Sequence, residues 1–160
     1  MSFKSTFTVV LTASVLMTTT GFAEGVMVND PYARSARPNA PTGAAFMMLM
    51  NPTDTDVKVI GVRSNAAKRV ELHTHIDKGE GIVQMTQIEA GIVIPAGESH
   101  MLKRGGDHVM LMGLNGSLVD GETITVTFEF ENADDLTVEI PIDNARKPAK
   151  NEDHSGHKSN

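Results

Sequence analysis

The chain has 160 residues, a net charge of −6 at pH 7, and only six Phe, one Tyr and no Trp. The negative charge argues against nucleic acid or an anionic membrane as partner, and the scarcity of aromatic residues argues against a stacking platform for bases or sugars. The absence of cysteine excludes disulfides, thiolate metal sites and attachment of a lipid to cysteine.

The first 23 residues have the pattern of an export signal. Lys4 precedes an apolar run from Phe7 to Met17, and small residues follow up to Ala23. We expect cleavage after about Ala23. The apolar run is about 11 residues long, against the roughly 20 that a membrane-spanning helix needs, so no stable membrane insertion is expected. We therefore divide the chain into a signal peptide (1–23), one domain (24–143) and a tail (144–160).

Short apolar segments separated by turn residues follow the signal, and they predict strands rather than helices. The intervening segments are rich in Gly, Pro, Asn and Asp, which accept or impose turn geometry. In chain order, the predicted strands are 26–29, 44–51, 57–64, 68–75, 82–88, 91–94, 99–103, 108–114, 123–131 and 136–140.

The segment TITVTFEFE has the clearest strand pattern, because its apolar and polar residues alternate as in a strand with one buried face. The segment LTVEI repeats this pattern after a short polar turn, which predicts an antiparallel hairpin. Many short strands at this spacing favour an all-β domain, either a β-sandwich or a small barrel. Residues 144–160 contain almost no apolar side chain and are predicted to form a disordered tail.

Two of the predicted strands carry histidine and methionine at alternate positions. His73 and His75 in ELHTH would share one face of a strand, and His108, Met110 and Met112 in HVMLM would share one face of another. Neutral imidazole and soft, uncharged thioether suit copper(I) far better than zinc, calcium or magnesium. If these two strand faces come together beside the segment GIVQM, the pattern predicts a copper(I) site there.

Other methionines and histidines in the domain have simpler interpretations. Met47, Met48 and Met50 are interpreted as core residues that fill gaps in a buried strand, since methionine packs adaptably. Met101 is also interpreted as a core residue, and His100 as a surface residue of a loop or strand.

The tail contains two further histidines. His154 and His157 are most simply solvated, although together with Asp153 they could bind a divalent ion loosely. They are retained as a weak second metal site.

The residues of the predicted site resemble the periplasmic copper(I) chaperones of the PCuAC family, and the resemblance covers 26–142. The family pattern is a His, a Met about ten residues later, and a His-x-Met far downstream. Here ELH, VQM and GGDHVM supply those positions, so the resemblance implies four copper ligands: His73, Met85, His108 and Met110. His75 stands where many members carry Met and is a possible fifth ligand. Met112 lies outside the family pattern, and we interpret it as a residue that lines the site without binding the metal, or as a core residue.

The resemblance also implies a fold and a function. The expected fold is a cupredoxin-like, Greek-key β-sandwich. The expected function is non-catalytic: a periplasmic chaperone delivers copper(I) by ligand exchange, for assembly of the copper centre of cytochrome c oxidase. The recipient would be the copper subunit of the oxidase or a Sco-type assembly factor. Family members often end in a His- or Met-bearing tail, which implies copper(II) as a second ion at the C-terminus.

Three alternatives remain open. Copper storage or resistance would use the same site as delivery. A zinc hydrolase could use His73, His75 and His108, because His-x-His with a distant His is a catalytic zinc pattern, but its base would have to be Asp107 or Glu71 and the methionines would have no role. A metal-free binding or adhesion domain would make these histidines and methionines unrelated surface and core residues.

Overall fold

A computed structural model describes residues 25–147, which form ten β-strands. The strands are β1 (Met27–Ser35), β2 (Thr42–Met50), β3 (Val57–Arg63), β4 (Ala67–Asp77), β5 (Val83–Gln87), β6 (Ile92–Ile94), β7 (Ser99–Leu102), β8 (His108–Leu114), β9 (Thr123–Phe130) and β10 (Leu136–Pro141). Every predicted strand is present, in the predicted order.

The strands form two sheets. The larger sheet has six strands in the order β1-β2-β8-β4-β5, with β7 pairing the second half of β2 beyond the end of β8. The smaller sheet has the order β10-β9-β3-β6. All of these neighbours are antiparallel, including the predicted β9–β10 hairpin. The predicted all-β sandwich is therefore confirmed.

The core lies between the two sheets and follows from the alternation of side chains along each strand. In β9, Val126 and Phe128 point inwards and are fully buried. In β8, Val109 and Leu111 point inwards in the same way from the larger sheet. Burial of each side chain of this size stabilises the fold by about 1.5–3 kcal/mol. The inward residues thus account for the stability of the sandwich and leave the outward residues free for other roles.

The first strand is longer than predicted, because it runs to Ser35 rather than ending at Asn29. Its pairing with β2 shifts register between Asn29 and Tyr32, and Asp30 has a φ of 52° there. A bulge at an edge strand accommodates a residue without an N–H, so Pro31 interrupts the ladder without ending the strand. The sequence Asp-Pro indicates a turn when it is considered alone.

The expectation that Met48, Met50 and Met101 belong to the core is wrong. Met47 points inwards and is 2% exposed, but its neighbour Met48 and then Met50 are only partly buried on the opposite face of β2. Met101 in β7 is 46% exposed. Successive side chains of a strand point to opposite faces, so an apolar run such as FMMLM cannot lie entirely in one core.

The chain beyond β10 remains attached to β1 for several residues. The Ser35 amide donates a hydrogen bond to Oδ1 of Asn144 (2.9 Å). The Nη1 atoms of Arg34 and Arg104 donate to the carbonyl oxygen of Arg146, at 3.3 and 3.4 Å. The first residues of the predicted tail, Asn144 and Arg146, are therefore hydrogen-bonded to the domain.

Several predictions fall outside the described residues. The export signal lies in 1–24, and the proposed tail site at His154 and His157 lies in 148–160. The part of the chain that is described contains no helix, and hence none that is long and apolar enough to cross a membrane.

Candidate metal centre

The outer face of the six-stranded sheet, on the side away from the core, carries the predicted histidines and methionines. In the pairing of β4 with β8, His73 lies opposite His108. In the pairing of β4 with β5, His75 lies opposite Met85. Met110 lies two residues after His108 and shares its face. The two faces that the sequence predicts to carry donors are thus neighbours on one surface.

A tight hairpin sets the position of Met85. The Lys78 amide donates to the carbonyl oxygen of Ile82 (2.9 Å), and the Ile82 amide donates to that of Gly79 (3.0 Å). Gly79 has a φ of 82°, a conformation that side chains disfavour. A shift of register by one residue would turn Met85 to the other face, so this loop keeps Met85 beside His75.

His108 is 3% exposed, and one of its two ring nitrogens is engaged by the backbone. The preceding turn is closed by the Gly106 amide, which donates to the carbonyl oxygen of Lys103 (3.1 Å), with Gly105 at a φ of 80°. His108 Nδ1 then donates to the carbonyl oxygen of Gly106 (2.8 Å). In a neutral ring this leaves Nε2 unprotonated and able to bind a metal.

His73 has the opposite arrangement of its ring nitrogens. Its Nε2 donates to Oε2 of Glu71 (2.8 Å), while Oε1 of Glu71 pairs with Nε of Arg69 (3.2 Å). His73 Nδ1 is buried and has no hydrogen-bond partner. Buried polar atoms in proteins are nearly always paired, so a buried imidazole nitrogen without a hydrogen-bond partner fits the role of a metal ligand.

The three histidine rings lie close together beside an open pocket. The ring centres of His73 and His75 are 6.1 and 5.2 Å from that of His108. The pocket has a volume of about 560 Å³. Its lining includes both predicted methionine ligands and two histidines: His75, Met85, His108 and Met110. His73 is not part of this lining, whereas His75, which lies opposite Met85 in the β4–β5 register, is.

Met112 continues the same face of β8 but lies outside the pocket. Its sulfur is 3.3 Å from Nη2 of Arg69, and Arg69 is its partner in the β4–β8 register. Met112 therefore belongs to the surface beyond the site.

The geometry gives no support to a three-histidine zinc site. Within 25–147, no three His, Asp or Glu side chains form a group arranged to hold a metal ion. Both nominal bases are engaged, because Asp107 accepts a hydrogen bond from Nε2 of His100 (2.9 Å) and Glu71 accepts one from His73. The donor atoms available to a metal at this surface therefore include the thioether sulfur atoms as well as the imidazole nitrogens.

Two features of the site were not predicted from the sequence. The Gly106 carbonyl selects the ring nitrogen of His108 that stays free, and Glu71 does the same for His73. The glycine pair before His108 was a visible signal of a special turn. The role of Glu71 follows from its position two residues before His73 on the same face of β4, which alternation alone could have indicated.

Burial lowers the pKa of His108 below its ordinary value of 6.5, although the hydrogen bond to Gly106 opposes the shift. A histidine with a lowered pKa binds fewer protons in the folded than in the unfolded state. We expect the free energy of unfolding of the metal-free protein to fall as the pH drops below about 6.5 and to level off below the folded pKa.

Urea denaturation between pH 7.5 and 5 measures this change. The His108→Gln variant should show a weaker pH dependence, because the remaining histidines are common to both proteins. The prediction would be contradicted if the free energy of unfolding changed equally with pH in the wild-type protein and in His108→Gln.

Comparison with known proteins finds relatives over the whole sandwich. A family model described as "Putative lipoprotein LpqE-like" matches residues 26–142. A protein of Leifsonia xyli subsp. xyli (strain CTCB07), named "Putative lipoprotein Lxx21020", is 34% identical over 120 residues, which are 75% of this chain and 70% of the relative.

Solved structures share the fold. The copper(I) form of DR1885 from Deinococcus radiodurans is 31% identical, with a TM-score of 0.58 over 77% of this chain and 83% of the other. The copper-bound PCuAC domain from PmoF2 is 21% identical, with a TM-score of 0.61 over 77% of this chain and 97% of the other. The predicted resemblance to cupredoxin-like PCuAC domains is thus confirmed for the fold.

Proposed function

Because the chain belongs to the LpqE-like family and has the fold of PCuAC domains, we propose that it binds copper(I) and acts as a copper chaperone rather than as an enzyme. The observation that carries the proposal is the pocket on the outer sheet face, where two imidazoles and two thioethers meet. The copper(I) form of a relative that is 31% identical supports the choice of metal.

The donor atoms suit a soft monovalent ion. We assign His108, through Nε2, with Met85 and Met110 as ligands, and His73, through its unpaired Nδ1, as the fourth. His75 lines the same pocket and is proposed to replace or supplement His73. Thioether is the soft donor that selects copper(I), and cysteine, its usual partner in tight sites, is absent from the chain.

The exposure of the site suits release of the ion. All of the proposed ligands are neutral, so the complex keeps the charge of the ion itself and lacks the strong attraction of thiolates. Met85 is 45% exposed and lies on β5, one of the edge strands of the larger sheet. We propose that donor atoms of a recipient protein displace Met85 first and then the remaining ligands. Delivery by such ligand exchange needs no chemical step on the protein.

The proposed setting is outside the cytoplasm. The lipoprotein names of the relatives and the signal-like N-terminus support export, and we propose the periplasm as the compartment. The proposed recipient is the copper subunit of cytochrome c oxidase or a Sco-type assembly factor. Copper storage or resistance is the alternative that uses the same site.

The first experiment is an anaerobic titration of the protein with copper(I) against a competing chelator. The proposal expects one tightly bound equivalent, and absence of binding would contradict it. The loaded protein is then mixed with a methionine-containing acceptor peptide. Direct transfer, with a rate that rises with the peptide concentration, supports delivery, whereas release at a rate independent of the peptide supports storage.

Glu71 provides a further prediction, because its carboxylate holds His73 in the tautomer with a free Nδ1. Loss of such an outer partner typically lowers metal affinity by about 10–100-fold, and we expect this for Glu71→Ala. Glu71→Gln should retain most of the affinity, because the amide oxygen can accept the same hydrogen bond.

Competition titration with copper(I) measures the effect of the Glu71 variants. Glu139→Ala, at an exposed position of the other sheet, controls for the change in net charge. Wild-type affinity in Glu71→Ala would remove Glu71 from the proposed site.

A further inference from the structure

A second group of methionines lies on the outer face of the larger sheet, at the other end of β2. Met50 lies opposite Met27 in the pairing of β2 with β1. Met48 lies opposite Met101 in the pairing of β2 with β7. Met48 and Met50 are two residues apart on one strand and so share a face. Four thioether side chains therefore occupy adjacent positions on three neighbouring strands.

Neither the core nor a solvated sheet face accounts for this group. Met27 and Met101 are 51% and 46% exposed, so they contribute little to packing. An outward face of an antiparallel sheet that meets water usually carries polar side chains. The outward positions of β2 from Ala44 to Met50 instead carry no charged or hydroxyl side chain. Beside these methionines, the same face carries Asn29 opposite Met48 on β1 and Ser99 opposite Met50 on β7, so polar side chains border the group without interrupting it on β2.

The spacing allows several of these sulfur atoms to reach one ion. Directly opposed residues of an antiparallel pair have Cβ atoms about 4.5–5.5 Å apart, and diagonal neighbours about 7–8 Å apart. Methionine has a flexible, unbranched side chain that can bend towards a shared point from such positions. Thioether sulfur is a soft and uncharged donor, which favours copper(I) over zinc, calcium or magnesium.

We propose that Met27, Met48, Met50 and Met101 form a second site for a soft monovalent ion, separate from the pocket at His108. Phe46 separates the two sites. Phe46 precedes Met48 by two residues on the outer face of β2, and its ring centre is 6.1 Å from that of His108. A copper(I) ion at the second site would lie a short distance along the sheet from the first.

The charges around the second site make it the weaker of the two. Met48 and Met101 line a groove of about 260 Å³, and four basic side chains line the same groove: Lys103, Arg104, Arg146 and Lys147. Asp30 is the only carboxylate among the residues that line it, and it pairs with Arg146. Because the thioethers are neutral, this positive field opposes a cation. The second ion should therefore bind after the first and exchange faster.

The inference extends the proposed function, since it rests on the chain handling copper(I), but its test is independent of the first site. The probe is silver(I), a soft monovalent ion, added to the whole protein labelled with ¹³C at the methionine methyl groups. We expect two equivalents to bind. The first should shift the signals of Met85 and Met110, and the second those of Met48 and Met101.

Paired variants separate the two sites. Met48→Leu with Met101→Leu should lose the second equivalent and keep the first, and Met85→Leu with Met110→Leu should do the reverse. Leucine and methionine are similar in volume, so the fold should survive. Met27→Leu with Met50→Leu is a second pair with the same expected result. The NMR spectrum of each variant reports its folding.

Three results would overturn the second site. One is a single equivalent of silver(I) in the wild-type protein, with shifts at Met85 and Met110 only. Another is a second equivalent of silver(I) that still binds both to Met48→Leu with Met101→Leu and to Met27→Leu with Met50→Leu. The third is a second equivalent that disappears when His154 and His157 are replaced by alanine, since that would place it in the tail. A wild-type protein in which silver(I) shifts the signals of Met48 and Met101 but not those of Met85 and Met110 would instead contradict the proposed function.

Discussion

Replacing Met85 and Met110 together by leucine should abolish tight copper(I) binding by the pocket and leave the fold intact. The variant removes both soft donors from the pocket and keeps both of its histidines. The loss should exceed the ~10–100-fold that removal of an outer partner of a metal ligand costs, because the ligands themselves are removed. Met85 is 45% exposed and leucine is similar in size to methionine, so the stability of the metal-free protein should change little.

Met112→Leu is the matched control for this variant. Met112 lies on the same strand and face as Met110, but outside the pocket. Copper affinity by chelator competition should be unchanged in the control and lost in the double variant. Equal affinity in the wild-type protein and the double variant would remove both thioethers from the site. Tight zinc binding that survives the double variant would revive the three-histidine alternative.

Phe128→Ala should have the largest effect on stability. Phe128 is fully buried between the sheets and is the largest of the fully buried side chains among the described residues. Truncation of a buried Phe to Ala typically lowers the free energy of unfolding by about 3–5 kcal/mol, because apolar contact is lost and a cavity remains. Domains are typically stable by only roughly 5–15 kcal/mol, so the variant should unfold at a much lower urea concentration.

Ile60→Ala is the control for Phe128→Ala. Ile60 lies in the same sheet but is 51% exposed, so its truncation should change the free energy of unfolding by no more than about 0.5 kcal/mol. Urea denaturation of both variants measures the difference. If Phe128→Ala lowered the free energy of unfolding as little as Ile60→Ala, Phe128 would not be packed between the two sheets. Folded Phe128→Ala protein should bind copper(I) with wild-type affinity.

The sequence predicts the strands well, because apolar alternation and turn residues are local signals. The ends of β8 match the prediction, and the β9–β10 hairpin follows from two alternating segments and a polar turn. Alternation also places His73 beside His75, and His108 beside Met110. That the two faces meet depends on β4 pairing with β8, a contact between strands far apart in sequence. No local pattern specifies that contact.

Other features could not be predicted because they depend on the whole sheet. The inner and outer faces of β2 are both apolar, so the sequence does not separate buried Met47 from outward Met48. His75 rather than His73 lines the pocket, and the ring of His73 is hydrogen-bonded to Glu71. Both features depend on the direction of side chains, which alternation along the strand does not specify. The assignment of individual copper ligands, together with the tail residues, stays a prediction.

The strands that form the proposed site use alternate residues for two unrelated purposes. In β8, Val109 and Leu111 hold the sandwich together, while His108 and Met110 face outwards. Substitution of an exposed outward residue therefore costs less folding stability than substitution of an inward one. On a sandwich of this kind, the chemistry of the outer face can differ while the packing between the sheets stays the same.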